Sequence, residues 1–263
     1  MTKLLYMEDC YLKECNAVVL ESGKDENGFF AVLDKTVMYP EGGGQLSDIG
    51  YLVFNDHTRL TVTNVSKKGG IIKHYVQEFP PEPNSRLTVE LKWSRRYALM
   101  RMHTAQHIIS AIALQKFGST TVGNQIHHDT SRLDLNPSKL SQEDLEELEK
   151  MSDCIVRDGL DVNIYEVSRK EVENNPEKYR CNFALLPKSI NTLRVVDISG
   201  FDVAICGGTH VANTSEVGEF KILKKENKGK GTERITYELV QHETTERQRD
   251  LCYVSPDRQE VGY

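Results

Sequence analysis

Residues 93–118, WSRRYALMRMHTAQHIISAIALQKFG, mark the point where the chain changes character. Ser94 suits a helix N-cap, and Gly118 fits the position just past a helix end, so one helix is expected to run to Phe117. Met100, His103, His107, Ala111 and Leu114 recur at three- and four-residue steps and therefore share one face of it.

Upstream of this helix the pattern is different. Short β-type runs at 17–20, 29–33, 50–54, 59–65, 71–76 and 86–91 alternate with turn segments such as GKDENG, YPEGGGQ, NDH, KKGG and PPEPN. Many short strands at near-regular spacing point to a small barrel or sandwich. Downstream, a second helix is expected over 142–158, opened by a Ser141–Asp144 capping box. It lies among β-type runs at 131–135, 161–167, 192–198, 218–223 and 233–240. Helices and strands without a βαβ rhythm define an α+β fold class. The expectation is an N-terminal small β-barrel over 1–92 and an α+β domain over 93–263, whose last stretch, 242–263, is a tail or a helix with a loose end.

Composition narrows the class of protein. With 263 residues, 38% hydrophobic and 27% charged, the chain reads as soluble and globular, and no run approaches the roughly 18 apolar residues of a spanning helix. The opening MTKLLYMEDC meets Glu8 and Asp9 before a signal-type apolar core develops, so a cytoplasmic location is expected. Cys10, Cys15, Cys154, Cys181, Cys206 and Cys252 are scattered rather than arranged as a framework, which favours reduced thiols. A net charge of −6 argues against a protein that coats nucleic acid non-specifically. A local basic patch exists nonetheless in KILKKENKGKGTER, where Lys221, Lys224, Lys225, Lys228, Lys230 and Arg234 outnumber Glu226 and Glu233. Such a hairpin is either solvated or a phosphate contact, and Gly229 and Gly231 would make its tip compliant.

The chemistry concentrates in two remote segments. In HTAQH, His103 and His107 stand one helical turn apart, so both imidazoles can reach one ion; alone, the pair is equally compatible with an ordinary helix face. In CGGTH, Cys206 and His210 flank Gly207 and Gly208, which can take positive φ and turn the chain tightly. Two histidines, a cysteine and a third histidine form a nitrogen–sulfur donor set suited to Zn²⁺ rather than to Mg²⁺ or Ca²⁺. Four protein ligands normally describe a closed structural site, whereas catalytic zinc keeps a position for water or substrate, and the sequence leaves that choice open. The helix lacks the glutamate of HExxH, which argues against a zinc peptidase.

The remaining polar residues carry weaker signals. Asp202 suits an outer acceptor for a ligand histidine or a loop cap. Arg132 and Asp134 share a strand face and suit a salt bridge. His127 and His128 read as strand-end side chains, and His57, His74 and His242 as surface. Gly42, Gly43 and Gly44 permit either a tight turn or a close backbone approach.

HTAQH, CGGTHVANTSEVGEF and KENKGKGTERI, in that order, resemble the editing domain of alanyl-tRNA synthetases and their free-standing relatives, the AlaX proteins. YPEGGGQLSDIG, residues 39–50, resembles the glycine-rich motif of the preceding barrel, and the likeness spans roughly residues 30–240. With a barrel and an editing domain alone, the chain resembles the middle-sized free-standing type. The resemblance implies zinc at His103, His107, Cys206 and His210, and hydrolysis of the ester joining a wrong amino acid, chiefly serine and often glycine, to alanine tRNA. It implies ATP-independent deacylation, because no residues for aminoacylation or ATP use are recognisable. Gln125 is placed like a substrate-contacting glutamine, the basic hairpin like a tRNA contact, and the glycine motif like a bridge to the editing domain or acceptor stem. Two other readings stay open: a tRNA-binding module with a purely structural zinc, and a zinc hydrolase for a different aminoacyl-tRNA or ester.

Overall fold

A computed structural model describes residues 1–79, 81–181, 186 and 190–240. The chain separates into two compact units, Met1–Met100 with Gln125–His128, and Arg101–Asn124 with Asp129–Tyr263. The expected tail at 242–263, with His242 and Cys252, lies outside the described residues.

In the first unit, β1 (Lys3–Leu4) pairs in parallel with β4 (Lys35–Thr36). Six further strands close a barrel: β2 (Glu14–Asp25), β3 (Gly28–Leu33), β5 (Gly50–Phe54), β6 (Arg59–Lys68), β7 (Ile71–Val76) and β8 (Arg86–Leu91), in the order β2-β3-β7-β6-β5-β8. Closure leaves no sheet edge to be capped. Alternate residues point inward, so Val19, Ala31, Leu33, Leu52, Val62, Val65, Ile72 and Val89 fill the interior.

His74 departs from its expected surface position: it is completely buried. Its Nδ1 donates to Ala31 O at 3.2 Å, which leaves Nε2 to accept from the Thr36 hydroxyl at 2.8 Å. Burial pushes its pKa down to about 4, against the Ala31 bond, so the ring is neutral near pH 7.

The glycine motif forms a tight turn. Gly43 and Gly44 have φ of 59° and 85°, and Gly42 and Gln45 exchange backbone bonds of 3.1 and 3.0 Å around them. Positive φ at both central positions is the type I′ geometry that favours glycine. Just beyond, Asp48 is buried against Arg96, whose Nε donates to both carboxylate oxygens at 3.1 and 3.0 Å. Arg96 also donates to Cys10 O and Val37 O, so this pair fixes three segments to the start of the long helix.

That helix, α1 (Trp93–Phe117), begins one residue before Ser94 rather than after it. It ends as expected: Gly118 has φ 63°, and the Gly118 and Ser119 N–H groups return to Leu114 O and Ala113 O. From Met102 to Ala113 every residue is buried, polar ones included, so the apolar-face description understates it; only toward Leu114 does it meet solvent.

In the second unit, β9 (Thr120–Gln125), whose last residue falls in the first unit, and β10 (Thr130–Asn136) lie in one sheet with two later strands, β14 and β15. Helix α2 (Gln142–Asp158) opens with the Ser141–Asp144 capping box and ends at Gly159 in the left-handed region. Strand β11 (Val162–Ser168), the short α3 (Arg169–Asn174), β12 (Thr192–Ile198) and β13 (Asp202–Ile205) follow, the strands forming a separate sheet ordered β11-β12-β13. The hairpin β14 (Glu219–Gly229) and β15 (Thr232–Val240) completes the first sheet in the order β14-β15-β10-β9. Strand β14 would expose an edge, but Glu149 and Asp153 of α2 accept the Ile222 and Phe220 N–H groups at 2.7 and 2.8 Å.

Candidate metal centre

Helix α1 presents His103 and His107 from adjacent turns, and the segment after β13 brings Cys206 and His210 to the same place. One ligand atom from each of the four lies within 4.8 Å of the others. The Cys206 sulfur stands 3.4 Å from His103 Nε2 and 3.4 Å from His210 Nε2. A tetrahedral zinc, at about 2.0–2.1 Å from nitrogen and about 2.3 Å from sulfur, holds such atoms about 3.5 Å apart, so these two sulfur–nitrogen spacings fit. The three histidines are buried, while Cys206 is partly exposed and Gly207 exposed beside it.

The turn is not made by glycine in the way its sequence suggests. Neither Gly207 nor Gly208 has positive φ. The curvature is held instead by Arg194 of β12, whose Nη1 donates to Cys206 O at 2.9 Å and Gly208 O at 2.8 Å. The Gly208 N–H points at the Cys206 sulfur from 3.4 Å. At Gly207 an added Cβ would meet nothing within 4 Å, so neither φ nor packing requires glycine there.

Thr104 is the outer partner of the His210 ring. Thr104 Oγ1 accepts from the Val211 N–H at 3.3 Å and contacts His210 Nδ1 at 3.1 Å. With that proton on Nδ1, the Nε2 lone pair faces the shared centre. His107 Nδ1 stands 3.6 Å from Asp202 Oδ2, just outside hydrogen-bond range. Asp202 is itself gripped by Arg180, which donates from Nε at 2.8 Å and from Nη2 at 2.6 Å. Arg180, Asp202 and His107 therefore form a line of charge leading to the centre.

The titration states follow. Burial opposes ionisation of Cys206, but the imidazoles of His103 and His210 outweigh it and hold the thiol well below its usual range. Burial drives His210 well below the usual imidazole value, and His103 beside it adds to the shift. Burial would raise Asp202, yet Arg180 dominates and keeps it an anion. Burial lowers His107, but Asp202 and Cys206 overcome this and raise it. A thiolate beside a neutral imidazole is the state a soft divalent metal requires.

Of the other candidate residues, Gln125 is half-buried at the end of β9. Asp134 pairs with Arg234 across the β10–β15 register at 2.7 and 2.8 Å, while Arg132 points to solvent. His57 and His128 are exposed and His127 is half-buried. In the basic hairpin, Lys221 pairs with Glu238, Lys224 with Glu226 and Lys225 with Glu233. Among the described residues, Lys228 and Lys230 hold no ion pair. The hairpin tip is fixed rather than compliant: Asn136 Nδ2 donates to Lys230 O at 3.0 Å, and the Ser138 N–H to Gly231 O at 2.8 Å. Lys230 sits there at φ 51°, a conformation that ordinarily favours glycine or asparagine. Sequence reasoning missed Arg194, Arg180 and Thr104; each acts through a partner remote in sequence, so spacing gave no signal.

Comparison with known proteins agrees with this architecture in both units. The family described as tRNA synthetases class II (A) matches residues 11–95, within the barrel unit. The family described as the threonyl and alanyl tRNA synthetase second additional domain matches residues 193–236, which carry Cys206 and His210. One match thus falls in each of the two units, and both families are described from tRNA synthetases. The alanyl-tRNA editing protein AlaX-M of Methanosarcina acetivorans is 36% identical over 249 residues, covering 91% of this chain and 100% of that protein. The AlaX-M of Methanosarcina barkeri is 38% identical over 245 residues, with 91% and 100% covered. The chain also matches an alanine–tRNA ligase of Methanococcus aeolicus at 38% identity over 243 residues, 90% of this chain and 25% of the ligase. The chain belongs to the AlaX-M family of alanyl-tRNA editing proteins.

Proposed function

We propose that the protein is a trans-editing hydrolase that removes serine, and glycine as a second substrate, from mischarged alanine tRNA, with a zinc ion held by His103, His107, Cys206 and His210. The observation that carries the reading is the convergence of these four donors within 4.8 Å, in a chain whose relatives are named editing proteins. Bound zinc would polarise and orient the ester carbonyl and stabilise the charge that develops on its oxygen.

The chain's own residues supply the rest. Thr104 and Asp202 orient His210 and His107, and Arg194 holds the turn that presents Cys206. An aminoacyl ester is already activated, so placing it beside a water is the main requirement. A site built to hydrogen-bond the serine hydroxyl can reject alanine by about 10⁴–10⁵, because its polar groups would otherwise go unpaired; this basis covers serine and not glycine, which also lacks the hydroxyl. Gln125 is assigned a substrate contact on the family resemblance. Lys228 and Lys230, the two cations of the hairpin without an ion pair among the described residues, are assigned to tRNA phosphates.

The test incubates the protein with seryl-, glycyl- and alanyl-tRNA of the alanine type, with Cys206→Ala in parallel and metal content measured for both. Seryl and glycyl esters should be cleaved and the alanyl ester spared, with activity and metal lost together in the variant. Undiminished cleavage by a fully metal-free variant would refute the proposal.

A further inference from the structure

Helix α1 carries a second polar group on the face that bears the metal ligands. Ser110 lies one turn beyond His107 and Gln106 beside it, so the stripe His103, His107, Ser110 continues past the centre. Gln106 and Ser110 are 4% and 1% exposed, and both are placed in a helix segment where apolar side chains would pack without cost. Gln106 Nε2 donates to Ser110 Oγ at 2.6 Å, and Ser110 Oγ contacts Thr121 Oγ1 at 2.6 Å.

An amide nitrogen only donates, so Ser110 accepts from Gln106. Ser110 Oγ and Thr121 Oγ1 share the next bond, in which either hydroxyl can be the donor. Whichever hydroxyl donates, Thr121 Oγ1 keeps a lone pair for a further hydroxyl. It sits half-buried on β9, which pairs with β10 at the border of the sheet. A relay anchored at its buried end and open at a hydroxyl is polarised to bind another hydroxyl.

We propose that Thr121 is a specificity-determining residue that binds the β-hydroxyl of a seryl ester, with Ser110 and Gln106 as positioning residues behind it. The inference rests on the aminoacyl-ester reading above. Glycine has no hydroxyl, so glycyl ester separates a lost hydroxyl contact from a damaged site.

The experiment measures kcat/KM of the full-length zinc-loaded protein on seryl- and glycyl-tRNA of the alanine type for Thr121→Val, Thr121→Ser and Ser110→Ala, with zinc content as a control. Thr121→Val should lose about tenfold on the seryl ester while staying within about twofold on the glycyl ester, the loss expected for one hydrogen bond to substrate. Thr121→Ser should restore the seryl rate, and Ser110→Ala should lower it selectively with zinc content unchanged. Equal losses on both esters, or an unaltered seryl rate in Thr121→Val and Ser110→Ala, would overturn the assignment. Wild-type protein inactive on both esters would instead overturn the editing reading, and this inference with it.

Discussion

Replacing Asp202 with asparagine keeps the side chain's shape and one acceptor but removes the charge that links Arg180 to His107. In the wild type, the carboxylate takes bonds of 2.8 and 2.6 Å from Arg180 and stands 3.6 Å from His107 Nδ1. Two effects follow. The Arg180 guanidinium loses its counter-charge, and breaking a buried ion pair costs about 3–5 kcal/mol; the low end applies because the Arg180 side chain is 24% exposed. His107 also loses the anion that orients its ring, and outer partners of this kind change metal affinity by roughly 10–100-fold, or about 1.4–2.7 kcal/mol. Zinc affinity read by competition with a chromophoric chelator, beside urea denaturation, separates the two effects. Asp134→Asn is the control: its carboxylate is also paired, with Arg234, but serves no ligand, so it should lower stability without moving metal affinity. An Asp202→Asn protein that binds zinc as tightly as the wild type would refute the orienting role.

His74, pushed down to about 4 by burial, takes up a proton later than it does in the unfolded chain, where its value is near 6.5. Stability should therefore fall as pH drops from about 6.5 toward 4, by roughly 3 kcal/mol in all, and His74→Asn should flatten that slope in urea titrations at pH 7 and pH 5. Asp153 is raised to about 6, chiefly by burial and further by Glu219 and Glu149, so its anion disfavours the fold above that pH. Asp153→Asn keeps an acceptor for the Phe220 N–H and should stabilise the protein at pH 8 by about 1 kcal/mol, partial exposure having screened a larger shift; no gain at pH 8 relative to pH 5 would contradict this. For tRNA binding, Lys228→Ala and Lys230→Ala should each lower the slope of log affinity against log salt by about 1, whereas Lys221→Ala and Lys224→Ala should lower it less. Equal effects at all four positions would show that the existing ion pairs do not matter.

Much of this arrangement is legible in the residues because it depends on local periodicity. The strands 50–54, 71–76, 86–91 and 192–198 coincide with their apolar runs, and the capping box at Ser141 announces α2. Strand β9, TTVGNQ, is invisible by the same criterion: it carries one large apolar residue, Val122, and that one faces solvent. Strand β14 extends past the apolar run at 218–223 through KKENKG, which is held in register against β15 by cross-strand pairs such as Glu226 with Arg234. His74 looked like a surface residue because its partners, Thr36 and Ala31, come from other parts of the barrel. The metal ligands were legible as types and spacings. Their support was not, because Arg180, Arg194 and Thr104 become meaningful only after the chain has brought 103–107 and 206–210 together.

Zinc K-edge X-ray absorption on the purified protein tests the central claim most directly, because it reads the donor atoms rather than their consequences. The four-residue centre predicts one sulfur at about 2.3 Å and three nitrogens at about 2.0–2.1 Å. A first shell without sulfur, or one unaltered in Cys206→Ala, would show that the two segments do not share the ion.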